Sequence, residues 1–134
     1  ISNALNKKTI PVFGNGKQIR DWIYVYDHVE ALIKIAKFGR CGDNYNIGCN
    51  NEIRNIDLIH KICKILSNIN FKLNNKKEDY RKLIKFVKDR PGHDFRYALN
   101  NSKIKKEINW FPKNNFHRNL VDTIEWYLNN IYKL

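Results

Sequence analysis

Apolar residues recur along this chain with two different spacings, and the two spacings alternate. A spacing of three and four residues, which places side chains on one face of a helix, occurs in three stretches. Those predicted helix faces are Val29, Leu32, Ile35 and Ala36; Leu58, Ile59, Ile62, Cys63 and Leu66; and Phe116, Leu120, Val121, Ile124, Leu128 and Ile131. Short runs rich in aromatic and β-branched residues predict strands at 9–14, 22–25, 44–48 and 83–87. Alternating helices and strands indicate an α/β protein.

Local signals place the helix boundaries. Residues 1–8 have the pattern of the end of a helix that continues upstream. Asp27 with Glu30 three residues later resembles a capping box, and Gly39 is suited to ending that helix. Another helix is expected to begin near Asn55, a preferred N-cap residue type. A polar connection at 70–80 and a short helix at 102–108 follow, and Pro112 precedes the last helix.

Four short strands are too few for a complete doubly wound sheet, so the 134 residues are expected to form one partial α/β unit. Helix faces that normally cover a larger sheet would then lack a partner. The apolar face between Leu120 and Ile131 is therefore expected to be exposed. A protein with such a face is expected to aggregate or to fold only marginally.

The net charge of +12 raises the possibility of a nucleic-acid-binding protein. However, the lysines are scattered along the chain and fall mainly on the polar faces of predicted helices. The chain also contains 20 Asn, 18 Ile and 18 Lys but no Met, a bias typical of an AT-rich coding sequence. Scattered charge of this origin favours solvated surfaces over a dedicated nucleic-acid surface.

The cysteines and the hydropathy pattern bear on location. Cys41, Cys49 and Cys63 are odd in number and contain no CxxC pair, which indicates neither a disulfide framework nor a zinc site. No apolar run approaches the roughly 20 residues that a membrane span requires. A reducing cytoplasm, without a membrane partner, fits these features.

The densest group of functional residue types is the stretch DRPGHD at 89–94, directly after a predicted strand. Pro91-Gly92 favours a tight turn, which can bring Arg90 and His93 to one side. Together with Arg20 they could supply donors for a diphosphate. Asn55 at a helix start could serve the same anion while also capping the helix. From the residues alone, an anion site and an ordinary charged surface turn both stay open.

Other motifs predict less. Gly14-Asn15-Gly16-Lys17 is followed by Gln18 rather than Ser or Thr, so it is interpreted as a turn between strands rather than a phosphate loop. The chain has no glycine-rich dinucleotide fingerprint and no Tyr-x-x-x-Lys pair. The helical histidines His28, His60 and His117 are not expected to be ligands. These residues predict binding, not catalysis.

Several motifs occur in an order that carries a resemblance across almost the whole chain. They are PVFGNGKQIRDWIYVYDHVEAL, YNIG, EIRNID, DRPGHDFRYALNNSKI, NWFP and TIEWYLNN. In this order they resemble the C-terminal part of the dTDP-glucose 4,6-dehydratase family, within the extended short-chain dehydrogenase/reductase superfamily. The motif DRPGHDxRY is the narrowest of them and favours 4,6-dehydratases over other nucleotide-sugar enzymes.

The resemblance implies the C-terminal substrate-binding part of an extended short-chain dehydrogenase/reductase fold, with an incomplete NAD-binding Rossmann fold. The family's full-length enzymes are homodimers that convert dTDP-glucose to dTDP-4-dehydro-6-deoxyglucose and water. NAD and the catalytic residues belong to a part that the resemblance places upstream of Ile1. The segment itself would then carry no catalytic and no cofactor-binding residue, and would be inactive alone.

Site residues are implied for the substrate only. The family's residues matching Pro11, Val12 and Phe13 line the nucleotide end of the pocket. Those matching Arg20, Asn55, Arg90 and His93 hold the diphosphate, and residues 89–92, which are Asp89, Arg90, Pro91 and Gly92, form the adjacent loop. Phe13 stands where the family often has Tyr, Cys49 where Gly is common, and Asn109 where Gly ends the short helix.

The residues and the resemblance leave three functions open. The first is the substrate-binding segment of a nucleotide-sugar dehydratase, or of a related NAD-dependent epimerase. The second is a truncated relic that has lost catalysis. The third is a basic nucleic-acid-binding module, which the order of the motifs disfavours.

Overall fold

The computed structural model describes residues 1–113 and 115–130. Its elements in chain order are α1 (Ser2–Leu5), β1 (Ile10–Phe13), β2 (Ile19–Asp21), α2 (Val25–Phe38), β3 (Glu52–Arg54), α3 (Asn55–Asn74), a 3-10 helix (Tyr80–Leu83), β4 (Ile84–Val87), β5 (Arg96–Tyr97), α4 (Ser102–Ile108) and α5 (Phe116–Asn130). The chain divides into two compact units. The predicted α/β class is confirmed.

The first unit comprises Ile1–Gln18, Arg54–Phe95 and the part of α5 from His117 onward. Strands β1 and β4 pair in parallel, with Ile10 opposite Ile84 and Phe13 opposite Val87. The core of this unit includes Cys63 and Leu66 of α3 and Ile124 of α5, all at most 2% exposed. Burying side chains of this size contributes roughly 1.5–3 kcal/mol each, which fixes both helices to the unit.

The second unit comprises Ile19–Ile53 and Arg96–Phe116. Its three-stranded sheet has the order β3-β2-β5, and β2 and β5 are parallel. The buried cluster of this unit brings Ala31 of α2 together with Ile104 and Ile108 of α4 and with Trp110. Helix α4 ends at Asn109 in the left-handed conformation, φ 50°. Asn is among the few residues other than Gly that adopt this conformation readily, so the helix ends as the family's glycine would end it.

Two of the predicted strands are wrong. The strand expected at 22–25 lies instead at Ile19–Asp21, and Val25 already begins α2. The backbone N–H and the indole Nε1 of Trp22 donate to the carbonyls of Asn51 and Ile53. Residues 44–48, all of them described, form no strand, and the carbonyl of Gly48 accepts a hydrogen bond from the Asn101 side chain.

The predicted capping box of α2 is also wrong. The helix begins two residues before Asp27, and the carboxylate of Asp27 is buried and accepts a hydrogen bond from the backbone N–H of Lys113. The apolar face is rotated from the expected one as well. Ala31 and Ile35 pack in the core, whereas Val29 and Leu32 are 43% and 49% exposed.

The last helix contradicts another expectation. Leu120, Val121 and Leu128 of α5 pack against the core of the first unit, around Ile124, which is fully buried. The face expected to be exposed is therefore covered. Ile131, the last residue predicted for this face, lies outside the described residues.

Among residues 1–113 and 115–130, no helix is long and apolar enough to cross a bilayer.

Candidate functional site

The candidate site lies in the first unit, at the edge of the sheet where β1 and β4 end. Because the strands are parallel, the residues that follow Phe13 and Val87 emerge at the same edge. The Gly14 N–H donates to the Val87 carbonyl at 2.9 Å and keeps the two chain segments together beyond the strands. In open α/β sheets, ligands bind outside the carboxyl ends of the strands. The loop at 88–93 leaves the sheet from this edge.

Arg90 and Phe13 meet at this edge. The guanidinium carbon of Arg90 lies 5.5 Å from the centroid of the Phe13 ring, and that ring is 42% exposed. A cation over an aromatic face is attracted by the electrons of the ring. The contact holds a cation beside an accessible aromatic surface, which is a suitable combination for a phosphate joined to a base.

Asp89 organises the loop through three donors. Its Oδ1 accepts from the Arg90 backbone N–H at 2.9 Å and lies 2.7 Å from Nδ1 of His93, and its Oδ2 accepts from Nε2 of Gln18 at 2.8 Å. The hydrogen bond with His93 is the largest cause that holds the pKa of the Asp89 carboxyl below its ordinary value. Asp89 is therefore a carboxylate near neutral pH, and its oxygens are all acceptors.

His93 is placed by this carboxylate. Only 6% of its side chain is exposed, although the loop around it is open to solvent. The backbone N–H of Arg90 and Nδ1 of His93 both meet Asp89 Oδ1. The convergence of the two side chains on one ligand stays a prediction. Gly92 has φ 66°, as a tight turn after Pro91 requires.

The start of α3 also joins the edge. The N–H groups of Asn55 and Ile56 donate to the carbonyls of Gln18 and Gly16, each at 2.9 Å. Arg54 rather than Asn55 is the N-cap residue, so the predicted cap at Asn55 is wrong. With two of its first N–H groups occupied, this helix end offers less to an anion than the sequence indicates. Within residues 1–113 and 115–130, the Asn55 side-chain amide makes no hydrogen bond.

Two glycines allow the turn between β1 and β2 to pack closely. A Cβ on Gly14 would lie 2.5 Å from Oδ2 of Asp89, and one on Gly16 would lie 2.8 Å from Cγ1 of Val12. Both glycines have positive φ, 58° and 68°. The turn predicted here is confirmed, and its glycines leave room for the Asp89 loop.

Pro11, Val12 and Arg20 differ in their surroundings. Pro11 is exposed, whereas Val12 is only 3% exposed and packs beneath Gly16, so its side chain belongs to the core. Arg20 is in the second unit, where Nη1 donates to the carbonyl of Ile19 at 2.7 Å. The role of each in ligand binding stays a prediction.

Asp21, the neighbour of Arg20, organises a turn in the second unit. Its carboxylate accepts from the backbone N–H groups of Cys49, Asn50 and Asn51 and from the thiol of Cys49. Burial alone would raise the pKa of Asp21, but these four hydrogen bonds outweigh burial and lower it. The carboxylate therefore fixes residues 49–51, where Asn50 has φ 56°.

Gln18 is the residue of this site that the sequence does not reveal. It is 4% exposed, its Nε2 binds Asp89, and its Oε1 has no partner among the described residues. A buried acceptor left unpaired costs about 1–3 kcal/mol. We therefore attribute the burial of this side chain to the hydrogen bond that its Nε2 donates to Asp89. Its sequence signal is weak, because a polar residue after a turn is usually exposed.

Across residues 1–113 and 115–130, no three His, Cys, Asp or Glu side chains are grouped so that they could hold a metal ion.

Comparison with known proteins supports the resemblance. A dTDP-glucose 4,6-dehydratase of Escherichia coli is 48% identical over 97% of this chain and 36% of its own length. The solved structure of dTDP-glucose 4,6-dehydratase from Bacillus anthracis, in complex with NAD, is 40% identical with a TM-score of 0.79 over 96% of this chain and 37% of that one. UDP-glucose 4-epimerase from Thermotoga maritima, with UDP-glucose, is 26% identical with a TM-score of 0.76 over 97% and 38%.

The chain thus spans about a third of the length of the curated relatives it matches. The similarity to solved structures confirms the predicted fold, a part of the extended short-chain dehydrogenase/reductase architecture. The family model for GDP-mannose 4,6 dehydratase matches residues 1–123, nearly the whole chain. The chain therefore belongs to the GDP-mannose 4,6 dehydratase family, and the relatives compared at 40–48% identity are dTDP-glucose 4,6-dehydratases.

Proposed function

We propose that this chain is the nucleotide-sugar-binding part of a dTDP-glucose 4,6-dehydratase. The observation that carries the proposal is the edge where β1 and β4 end, with the Arg90 cation over the exposed ring of Phe13 and His93 attached to the same loop. The 48% identity to the Escherichia coli enzyme supports dTDP-glucose as the substrate.

The diphosphate is assigned to Arg90 and His93. A guanidinium can offer two parallel N–H donors to phosphate oxygens, and a ring nitrogen of histidine can donate a third hydrogen bond. The Asn55 amide, with no partner in the described part of the chain, is available to the same group. Phe13 offers its ring to the base. The roles of Pro11, Val12 and Arg20 in binding stay predictions of the resemblance.

The reaction of the whole enzyme is proposed from its relatives. It converts dTDP-glucose to dTDP-4-dehydro-6-deoxyglucose and water. NAD, when bound, supplies the hydride acceptor and donor. The residues of this chain do not fit a site for it: the sequence has no glycine fingerprint, and α3 begins with its first N–H groups bonded to Gln18 and Gly16. NAD is therefore assigned to the remainder of the protein.

The chain alone is proposed to bind substrate without turning it over. The resemblance implies no catalytic residue in this part of the enzyme, and the roles proposed for the site are all in binding. Incubation of the chain with dTDP-glucose and NAD should give no dTDP-4-dehydro-6-deoxyglucose by mass spectrometry. Formation of that product would overturn this assignment.

The proposed partner of the full-length protein is a second copy, as the resemblance implies. Its proposed location is the cytoplasm, and the free thiols of Cys41, Cys49 and Cys63 support this. Unpaired thiols are kept reduced there.

Titration of dTDP into the protein, followed by calorimetry, tests the binding function. Arg90→Ala should weaken dTDP binding by about 10- to 150-fold, because a hydrogen bond to a charged group is worth about 1.5–3 kcal/mol. Arg81→Ala is the matched control, since Arg81 pairs with Asp79 and the variant loses the same charge. Equal affinities for wild type and Arg90→Ala, or no dTDP binding at all, would refute the proposed site.

A further inference from the structure

A carboxylate stands in the middle of the loop assigned to an anion. Asp89 cannot contact a diphosphate favourably through its own oxygens, since both groups are negative. Its oxygens are also already engaged by the Arg90 N–H, by His93 and by Gln18. Asp89 is therefore suited to acting on the neighbouring side chains rather than on the ligand.

The geometry determines which nitrogen of His93 carries the proton. A carboxylate only accepts hydrogen bonds, so the ring nitrogen 2.7 Å from Asp89 Oδ1 must be the donor. That nitrogen is Nδ1. The other ring nitrogen, Nε2, is then left for a ligand. This hydrogen bond also fixes the plane of the ring, because the side chain is 6% exposed and is held at one of its two nitrogens.

Gln18 holds the other side of the same carboxylate. Its Nε2 lies 2.8 Å from Asp89 Oδ2, while its backbone carbonyl accepts from the Asn55 N–H. One buried residue thus joins the loop at 89–93 to the start of α3. Gly14 leaves the space that this arrangement occupies, since a Cβ there would lie 2.9 Å from Cγ of Asp89 and 3.1 Å from Nε2 of Gln18.

We propose that Gln18 and Asp89 are positioning residues that hold His93 with its proton on Nδ1, so that Nε2 is presented to the diphosphate. This inference rests on the proposed function for the identity of the ligand. The tautomer does not depend on the ligand and is measured without it. Asp89, predicted from the resemblance to be part of the substrate-binding loop, is thereby assigned to fixing the tautomer of His93.

The first measurement is the tautomer of His93 in the unliganded chain, by long-range ¹H–¹⁵N NMR of ¹⁵N-labelled protein with the imidazole in its neutral form. Neutral His93 should carry its proton on Nδ1. Asp89→Ala should lose this preference, and Asp89→Asn should retain it, because the amide oxygen can still accept from Nδ1. Asp122→Asn is the control for charge, since Asp122 pairs with Arg118 on α5. A proton on Nε2 in the wild type, or an unchanged tautomer in Asp89→Ala, would overturn the inference.

The second measurement separates positioning from stability. Gln18→Leu fills the same buried space, removes the unpaired Oε1 and deletes the donor to Asp89. It should keep or raise the melting temperature while weakening dTDP binding about 3- to 10-fold, the range of one lost hydrogen bond. Unchanged dTDP affinity in a folded Gln18→Leu protein contradicts the role of Gln18.

The two failures can be told apart. If His93 has the expected tautomer but the wild-type chain does not bind dTDP, the proposed function is wrong and the ligand part of the inference falls with it. If dTDP binds but His93 has the other tautomer, the function stands and the positioning role is wrong. Circular dichroism and thermal melting of each variant identify any that does not fold. If Asp89→Ala does not fold, the tautomer of the wild type and the dTDP affinity of Gln18→Leu still decide the inference.

Discussion

The guanidinium of Arg90 lies over the ring of Phe13, with 5.5 Å between the guanidinium carbon and the ring centroid. Phe13 is the last residue of β1, and Arg90 follows the end of β4 by three residues. Both lie at the same edge of the sheet because β1 and β4 run parallel and end in register. This contact ties a residue predicted to bind the nucleotide to one predicted to bind the diphosphate.

Replacing the ring tests the contact. Phe13→Leu should weaken dTDP binding about 2- to 5-fold, because Arg90 loses the aromatic face that positions its guanidinium for the ligand. A cation–π contact is worth about 0.5–1 kcal/mol at an exposed site. Phe13→Tyr keeps the aromatic face and should bind as well as wild type. Calorimetric titration with dTDP measures both. Equal binding by Phe13→Leu and Phe13→Tyr would mean that the ring contributes nothing as an aromatic.

Gly14 and Gly92 form a matched pair for testing the packing of the Asp89 loop. Both have positive φ, 58° and 66°, so alanine at either position meets backbone strain of about 1–2 kcal/mol. Only at Gly14 would the new Cβ also meet Asp89, at 2.5 Å from Oδ2, whereas no described atom lies within 4 Å of a Cβ at Gly92. Gly14→Ala should therefore lower the free energy of unfolding more than Gly92→Ala. Urea denaturation that gives equal losses would contradict the close approach of Asp89.

The three thiols should react differently. Burial and the hydrogen bond to Asp21 raise the pKa of Cys49 to about 12, and burial raises the pKa of Cys63. Cys41 is exposed. Since the thiolate is the nucleophile, iodoacetamide at pH 8 should alkylate Cys41 in the folded protein and reach the other two only after unfolding. Peptide mass spectrometry measures the three sites, and rapid labelling of native Cys49 would be inconsistent with its environment.

Acid should destabilise the second unit through Asp21. Its pKa is lowered in the folded state, so its contribution is fully present above the unfolded value of about 3.9 and is lost as pH falls through the folded value. The free energy of unfolding should therefore fall from pH 6 to pH 3, and it should fall less in Asp21→Asn. Urea denaturation at both pH values gives the difference. Other carboxyls with lowered pKa titrate in both proteins, so an identical fall in both would exclude a role for Asp21.

The outward face of α2 should promote association. Val25, Val29 and Leu32 are 61%, 43% and 49% exposed and follow one another at helical spacing. Apolar patches of this kind favour self-association, so sedimentation should show an apparent mass that rises with protein concentration. Leu32→Gln should reduce this rise. Lys37→Gln, at an exposed polar position of the same helix, should not, and a protein that stays monomeric at all concentrations would disprove the expectation.

Helix existence was predictable, but which face of a helix is buried was only partly so. In α3 and α5 the apolar spacing names the buried residues, such as Leu66 and Ile124, because those faces pack within their own unit. In α2 the same spacing selects Val29 and Leu32, which are exposed, while the small Ala31 is fully buried. The periodicity shows that a face is apolar; it does not show what lies against it.

The strand predictions failed where pairing with a neighbouring segment, and not composition, determines whether a strand forms. The residues at 22–25 and 44–48 have the composition of strands, yet a strand exists only where a neighbour completes its hydrogen bonds. The short strand β5, Arg96–Tyr97, had no sequence signal and forms because it pairs with β2.

The sequence by itself determined the α/β class, the position of the turn at Gly14–Lys17, the family and the residue types Arg90 and His93 after a strand. These follow from local spacing and from motif order. Only the tertiary structure decided that Asp89 binds Gln18, 71 residues away along the chain, and that this pair leaves Nδ1 of His93 as the donor. A hydrogen bond between side chains on different segments depends on how the segments pack, and no local pattern encodes that packing.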